Sequence, residues 1–147
     1  MNTISIIKES TTVKYGLKYH KRSAHYVIPG NPMALARPRF GIKGRVYDAQ
    51  KPQKLIHGIT LQSQHNDEPF FTGPLHLIMR FFFPMAQKRP HLENCWHTQR
   101  PDLSNCIKYY EDIATGICYK DDALITKIDA TKFFSAIPRT ELTILEL

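Results

Sequence analysis

The sequence predicts a mixed α/β fold, a sheet carrying two helices, in the order β-β-α-β-α-β-β. Three observations predict it. Apolar runs bounded by glycine and proline read as strands, most clearly "GPLHLIMRFFFP" at 73–84. Two segments space their apolar residues at helical rather than strand period. Finally, the 147 residues contain no internal repeat, linker or low-complexity tract, so residues 1–147 are expected to form one domain with a sizeable core.

The elements follow in order. Residues 1–22 are polar and are expected to form a flexible N-terminal arm. "AHYVI" (24–28) reads as a short strand, stopped by the turn residues "PGNP". "ARPRFGIKGRVYD" gives a loop and a second strand around "RVY". Asp48 suits an N-cap for a helix over about 49–64, whose Leu55, Ile56 and Ile59 fall on one face. After the strand at 73–84 comes a polar connection of irregular composition. A second helix starts near Asp102 and stops before Gly116, a residue suited to ending helices. Two strands, 123–134 and 140–147, close the chain.

Composition narrows the function classes. The chain is 42% hydrophobic and 22% charged, the balance of a globular protein. Its longest apolar run contains His76 and Arg80, which excludes a membrane-spanning helix. With no signal pattern at the N-terminus, a cytoplasmic location is expected. Cys95, Cys106 and Cys118 lie far apart without a CxxC, so reduced, mostly buried thiols are expected rather than structural zinc. The formal charge of +7 is unevenly spread. Residues 10–66 hold ten Lys/Arg and a single acid, Asp48, whereas residues 102–129 hold six acids against three lysines. The basic half suits a polyanion. An acidic cluster in the same chain would repel that partner unless a divalent cation supplied positive charge there; segregation on solvated faces is the alternative.

The second helix is where this contrast concentrates. At 100° per residue, Asp102, Asn105, Lys108 and Asp112 share one stripe. Leu103, Ile107, Tyr110, Ile113 and Ala114 occupy the opposite side. Any amphipathic helix has a polar face, so the stripe alone decides nothing. Downstream, Asp121 and Asp122 precede a strand; they read as an ordinary turn or as half of a cation site. Mg²⁺ prefers oxygen ligands and takes only one or two protein carboxylates, with water and phosphate completing its shell. A nearby lysine could offset charge developing on a phosphoryl group.

Taken together, "RPDLSNCIKYYEDIATGICYKDDALIT" resembles the signature of the RusA family of Holliday-junction resolvases. The pattern is D-x-D-N-x-x-K, an acid four residues on, a glycine-containing turn, and D-D before a strand. Asp102, Asn105, Lys108, Asp112, Gly116, Asp121 and Asp122 match it. "IPGNPMALARPRF", "GRVYDAQKPQK" and "TKFFSAIPRTELTILEL" resemble the family's basic loop, strand-to-helix step and closing strand pair. The resemblance implies a RusA-like fold and a homodimeric, Mg²⁺-dependent endodeoxyribonuclease (Mn²⁺ as a substitute), bacterial or phage-encoded. Such an enzyme binds branched, four-way DNA and nicks two strands symmetrically in recombination and repair. It implies metal ligation by Asp102, position 104 and Asp122, with Lys108 as the catalytic lysine. Strand 75–83 and the C-terminal strand are candidates for the dimer interface, or plain core.

Position 104 departs from the pattern: it is Ser104. A neutral hydroxyl is a weaker ligand for a hard cation than a carboxylate. Asp121 or Asp112 could substitute, the metal could bind weakly, or the site could be silent and leave a branched-DNA-binding protein. Ser104 also suits a helix N-cap. For DNA contacts the resemblance points to Arg37 and Arg39, with Lys43, Arg45, Arg100 and Lys132 as further cations. Phe40, Tyr47 and Trp96 could stack on bases, though buried packing is the commoner fate of such rings. His97 reads as a loop histidine rather than a base.

Overall fold

A computed structural model describes residues 7–8 and 22–147. Its strands are β1 (Ile7–Lys8), β2 (Arg22–Pro29), β3 (Arg39–Phe40), β4 (Val46–Tyr47), β5 (Leu75–Pro84), β6 (Ile125–Ser135) and β7 (Arg139–Glu146). Helix α1 spans Lys51–His65 and α2 spans Leu103–Ala114. The mixed α/β class and the two helices are as the sequence predicts. Of the N-terminal arm expected over 1–22, all but Ile7–Lys8 and Arg22 lies outside the described residues.

Five strands form one sheet in the order β1-β2-β7-β5-β6. Only β5 and β6 run parallel, which is what a helical crossover through α2 between them allows. β5 sits between β7 and β6, and this central position accounts for its nearly continuous apolar run. Both edges of β5 and of β7 are paired, so neither strand can offer an edge to a second copy. Alternation then decides which face is core. Ala24, Tyr26 and Ile28 of β2, Leu75, Leu77, Met79 and Phe81 of β5, and Leu142 and Ile144 of β7 are buried, with α2 contributing Cys106, Tyr109, Tyr110, Ile113 and Ala114. Each large side chain so buried contributes about 1.5–3 kcal/mol. Cys95 is exposed and Cys106 and Cys118 are buried; all three are free thiols.

Three local expectations are corrected. The segment around "RVY" does not join the sheet; β4 pairs only with β3, as a separate two-stranded ribbon. The N-cap of α1 is Gln50, not Asp48. Asp48 instead accepts the Gln50 N–H at 2.8 Å and pairs with Lys54 at 2.7 Å. And the apolar stripe Leu55–Ile56–Ile59 of α1 faces outward; the helix docks through Leu61, Gln64 and His65. Gln64 bridges the N–H and C=O of Val27, and His65 Nδ1 meets Tyr26 OH at 2.7 Å. The polar docking side explains why apolar periodicity misassigns the buried face.

Candidate active site and nucleic-acid face

The helix α2 presents its motif outward. Asp102 is the N-cap residue, with extended backbone and no side-chain cap bond, so its exposed carboxylate remains available. Ser104 lies inside the first turn and is exposed; it is not the cap. Lys108 and Asp112 are exposed and Asn105 is half-buried, while Tyr110, Ile113 and Ala114 face the core. The polar stripe is therefore a real surface, and its two flanks have different neighbours. Asp112 looks toward α1, where Lys54 approaches it at 3.7 Å while binding Asp48.

The other flank carries a residue that sequence reasoning missed. Burial first, and then the charges of Asp122 and Asp112, push the Glu111 carboxyl above its usual range; Lys108 opposes the shift. The charge of Asp122 is thus felt at Glu111 on α2. The available signal was helical spacing: Glu111 is seven residues, two turns, from Ser104 and three from Lys108. Asp121 and Asp122 form a short 3-10 turn (Asp122–Leu124), in which Asp121 Oδ1 accepts the Ala123 N–H at 2.8 Å. Asp121 is therefore partly committed as a cap. Among the described residues, no three His, Cys, Asp or Glu side chains are gathered closely enough to share a metal ion.

The segment leading into Asp102 is held by Lys132. Its ammonium donates to the carbonyls of Gln99 (2.6 Å) and Pro101 (2.7 Å), so most of its hydrogen-bonding capacity is spent within the protein. His97 is buried, stacked 4.2 Å from the Phe83 ring, and its backbone N–H donates to Lys132. Burial lowers its pKa, with Lys132 adding to the effect. This is a packing histidine. Arg100 is exposed.

The basic segment lies beside α2 because backbone bonds put it there. Leu35 N–H donates to the Asn105 carbonyl at 2.8 Å, and Met33 N–H to Tyr110 OH at 3.0 Å. Arg37, Arg39, Lys43 and Arg45 follow, all exposed. Phe40, Tyr47 and Trp96 are exposed as well, at 80%, 49% and 77%, against the expectation of buried packing.

A hard divalent cation suits what is present. The donors are the exposed carboxylates of Asp102, Asp112, Asp121 and Asp122. One or two carboxylates suffice for Mg²⁺, so a three-carboxylate cage is not required.

Comparison with known proteins gives concordant findings. The family model described as "Endodeoxyribonuclease RusA" matches residues 29–145. The chain is 30% identical over 135 residues to "Uncharacterized protein YqaN" of Bacillus subtilis (strain 168), covering 83% of this chain and 95% of that one. It is 36% identical over 75 residues to "Crossover junction endodeoxyribonuclease rusA" of Lactococcus phage r1t, covering 50% of this chain and 56% of the relative.

Proposed function

The chain belongs to the RusA endodeoxyribonuclease family, and on that premise we propose that it is a divalent-metal-dependent endonuclease that nicks four-way DNA junctions symmetrically as a homodimer. The observation that carries this reading is the α2 stripe itself: exposed Asp102, Lys108 and Asp112 stand beside a segment of four exposed cations that the Leu35–Asn105 backbone bond fastens to α2. Asp102 and Asp122 would hold the ion, and the half-buried Glu111 would add negative charge on α2 that the neutral Ser104 lacks. When bound, Mg²⁺ or Mn²⁺ would supply Lewis-acid chemistry at the scissile phosphate. The rest falls to the protein. Lys108 faces charge developing on the phosphoryl group. Arg37 and Arg39 hold the DNA backbone, with Lys43, Arg45 and Arg100 as further contacts. Lys132 keeps the residues before Asp102 in place. Two nicks require two sites, most simply supplied by a twofold dimer.

A second reading, a catalytically silent branched-DNA binder, is favoured by Ser104, a neutral hydroxyl where the family pattern has a carboxylate. Asp122→Asn separates the two. With labelled junction and Mg²⁺, wild type should nick; the variant should not, yet should bind the junction as well or better, since a repelling charge is gone. Normal cleavage by Asp122→Asn would overturn the metal assignment, and no cleavage by wild type would favour the silent binder.

A further inference from the structure

We infer that the β3–β4 ribbon is a wedge that stacks Phe40 on a DNA base opened at the branch point. This rests on the reading of the chain as a branched-DNA nuclease and adds a base-contacting element to it.

The ribbon is an unusual object in this fold. It belongs to a sheet of its own, and an isolated two-stranded ribbon is marginally stable in water. Yet its root is well fastened. Gln50 accepts the Ala36 N–H at 2.8 Å and donates to the Ala34 carbonyl at 2.7 Å, clamping the two stems together. The Leu35 bond to Asn105 fixes that root against α2. At the tip, Lys43 and Gly44 both take positive φ (67° and 70°), a turn whose twist suits a tight hairpin.

Register sorts the side chains. Phe40 pairs with Val46, and Arg39 with Tyr47. Neighbouring strand positions point to opposite faces, so one face shows Phe40 and Val46 and the other Arg39, Arg45 and Tyr47. Phe40 is 80% exposed, Ile42 at the tip 92%, and Val46 60%. Tyr47 is less free, because its ring lies against Gly41. The ribbon is therefore fixed at its root and apolar on one face, with Phe40 projecting.

Charge decides what it fits. Residues 37–47 carry four cations and no carboxylate. A second copy would bring the same four cations to a twofold contact between ribbons, whereas a nucleic acid neutralises them. Phosphates on the cationic face and a base against Phe40 satisfy both faces at once, since every base offers a π-face to an aromatic side chain. Intact duplex presents no free base face; a branch point, where stacking is interrupted, does.

The test compares wild type with Phe40→Ala on a four-way junction and on linear duplex of equal length. A 2-aminopurine sits at the branch point. Phe40 is exposed, so the variant should fold, which circular dichroism checks. Wild type should raise 2-aminopurine fluorescence on binding. Phe40→Ala should abolish that rise and weaken junction binding by roughly 5- to 150-fold, the cost of one base–aromatic stack, while duplex affinity and the salt dependence stay unchanged. Equal affinities of wild type and Phe40→Ala for the junction would overturn the inference while leaving the nuclease reading intact. Loss of dimer on light scattering, with junction and duplex binding weakened alike, would overturn it in favour of a protein interface. Failure of wild type to prefer junction over duplex would overturn the reading beneath it.

Discussion

Replacing Lys132 with Met should loosen the approach to Asp102 and slow nicking out of proportion to any change in DNA affinity. The lysine ammonium makes two short bonds, to the carbonyls of Gln99 and Pro101. A hydrogen bond to a charged group contributes about 1.5–3 kcal/mol net. Gln99 is exposed, so water replaces its lost partner; Pro101 is half-buried and replaces it less well. The combined loss is then about 2–3 kcal/mol, nearer the cost of one bond than of two. For a chain of this size that lowers Tm by about 4–12 °C. A displacement of about 1 Å at a reacting group can cost on the order of 10²-fold in rate, so nicking by the folded variant should fall at least ten-fold. Thermal unfolding by circular dichroism and single-turnover cleavage at 25 °C check both. Unchanged Tm and unchanged cleavage, with a salt slope shallower by about one unit, would instead make Lys132 a phosphate contact.

Other outcomes follow from the same geometry. Ser104→Asp should lower the Mg²⁺ concentration for half-maximal nicking, because a carboxylate is the better ligand; an unchanged requirement would count against Ser104 as a metal neighbour. Glu111→Gln should raise that requirement, whereas nicking lost in Asp121→Asn but kept in Glu111→Gln would place the compensating charge at Asp121. If the ribbon and its flanks contact about 6–10 phosphates, junction affinity should fall by about 10³–10⁵ between 50 and 200 mM salt, and Arg37→Ala or Arg39→Ala should each reduce the slope by about one. Burial holds His57, His65 and His97 below the usual histidine pKa. The unfolded chain therefore takes up protons first as pH falls, so stability is full above the unfolded pKa of about 6.5 and declines below it; urea melts at pH 7.5 and 5.5 should show this, and His97→Phe should reduce the decline.

The strands and helices were legible because their signals are local. β5 is bounded by Gly-Pro and proline, and α2 has a clean apolar face ending near Gly116. What escaped was set by tertiary contacts. The outward Leu55–Ile56–Ile59 stripe reads as a core face until Gln64 and His65 are seen bonding to β2. Likewise the ribbon's rings read as core until register and exposure place them in solvent. At the site, the polar stripe of α2 follows from helical geometry alone. The partners of that stripe do not: the Asp122 charge felt at Glu111, and Lys54 beside Asp112, depend on how separate elements pack. Lys132 is the sharpest case, since only the fold shows its ammonium turned onto the chain before Asp102.

Paired, symmetric cleavage of a four-way junction can be read on a supercoiled plasmid that extrudes a cruciform. Incubated with the protein and Mg²⁺, the plasmid is relaxed by one nick and linearised by two coordinated ones. Linear product should appear without accumulation of nicked circle, and none with Asp122→Asn. Nicked circle alone, or supercoiled plasmid left intact by a protein that binds the cruciform, would contradict it.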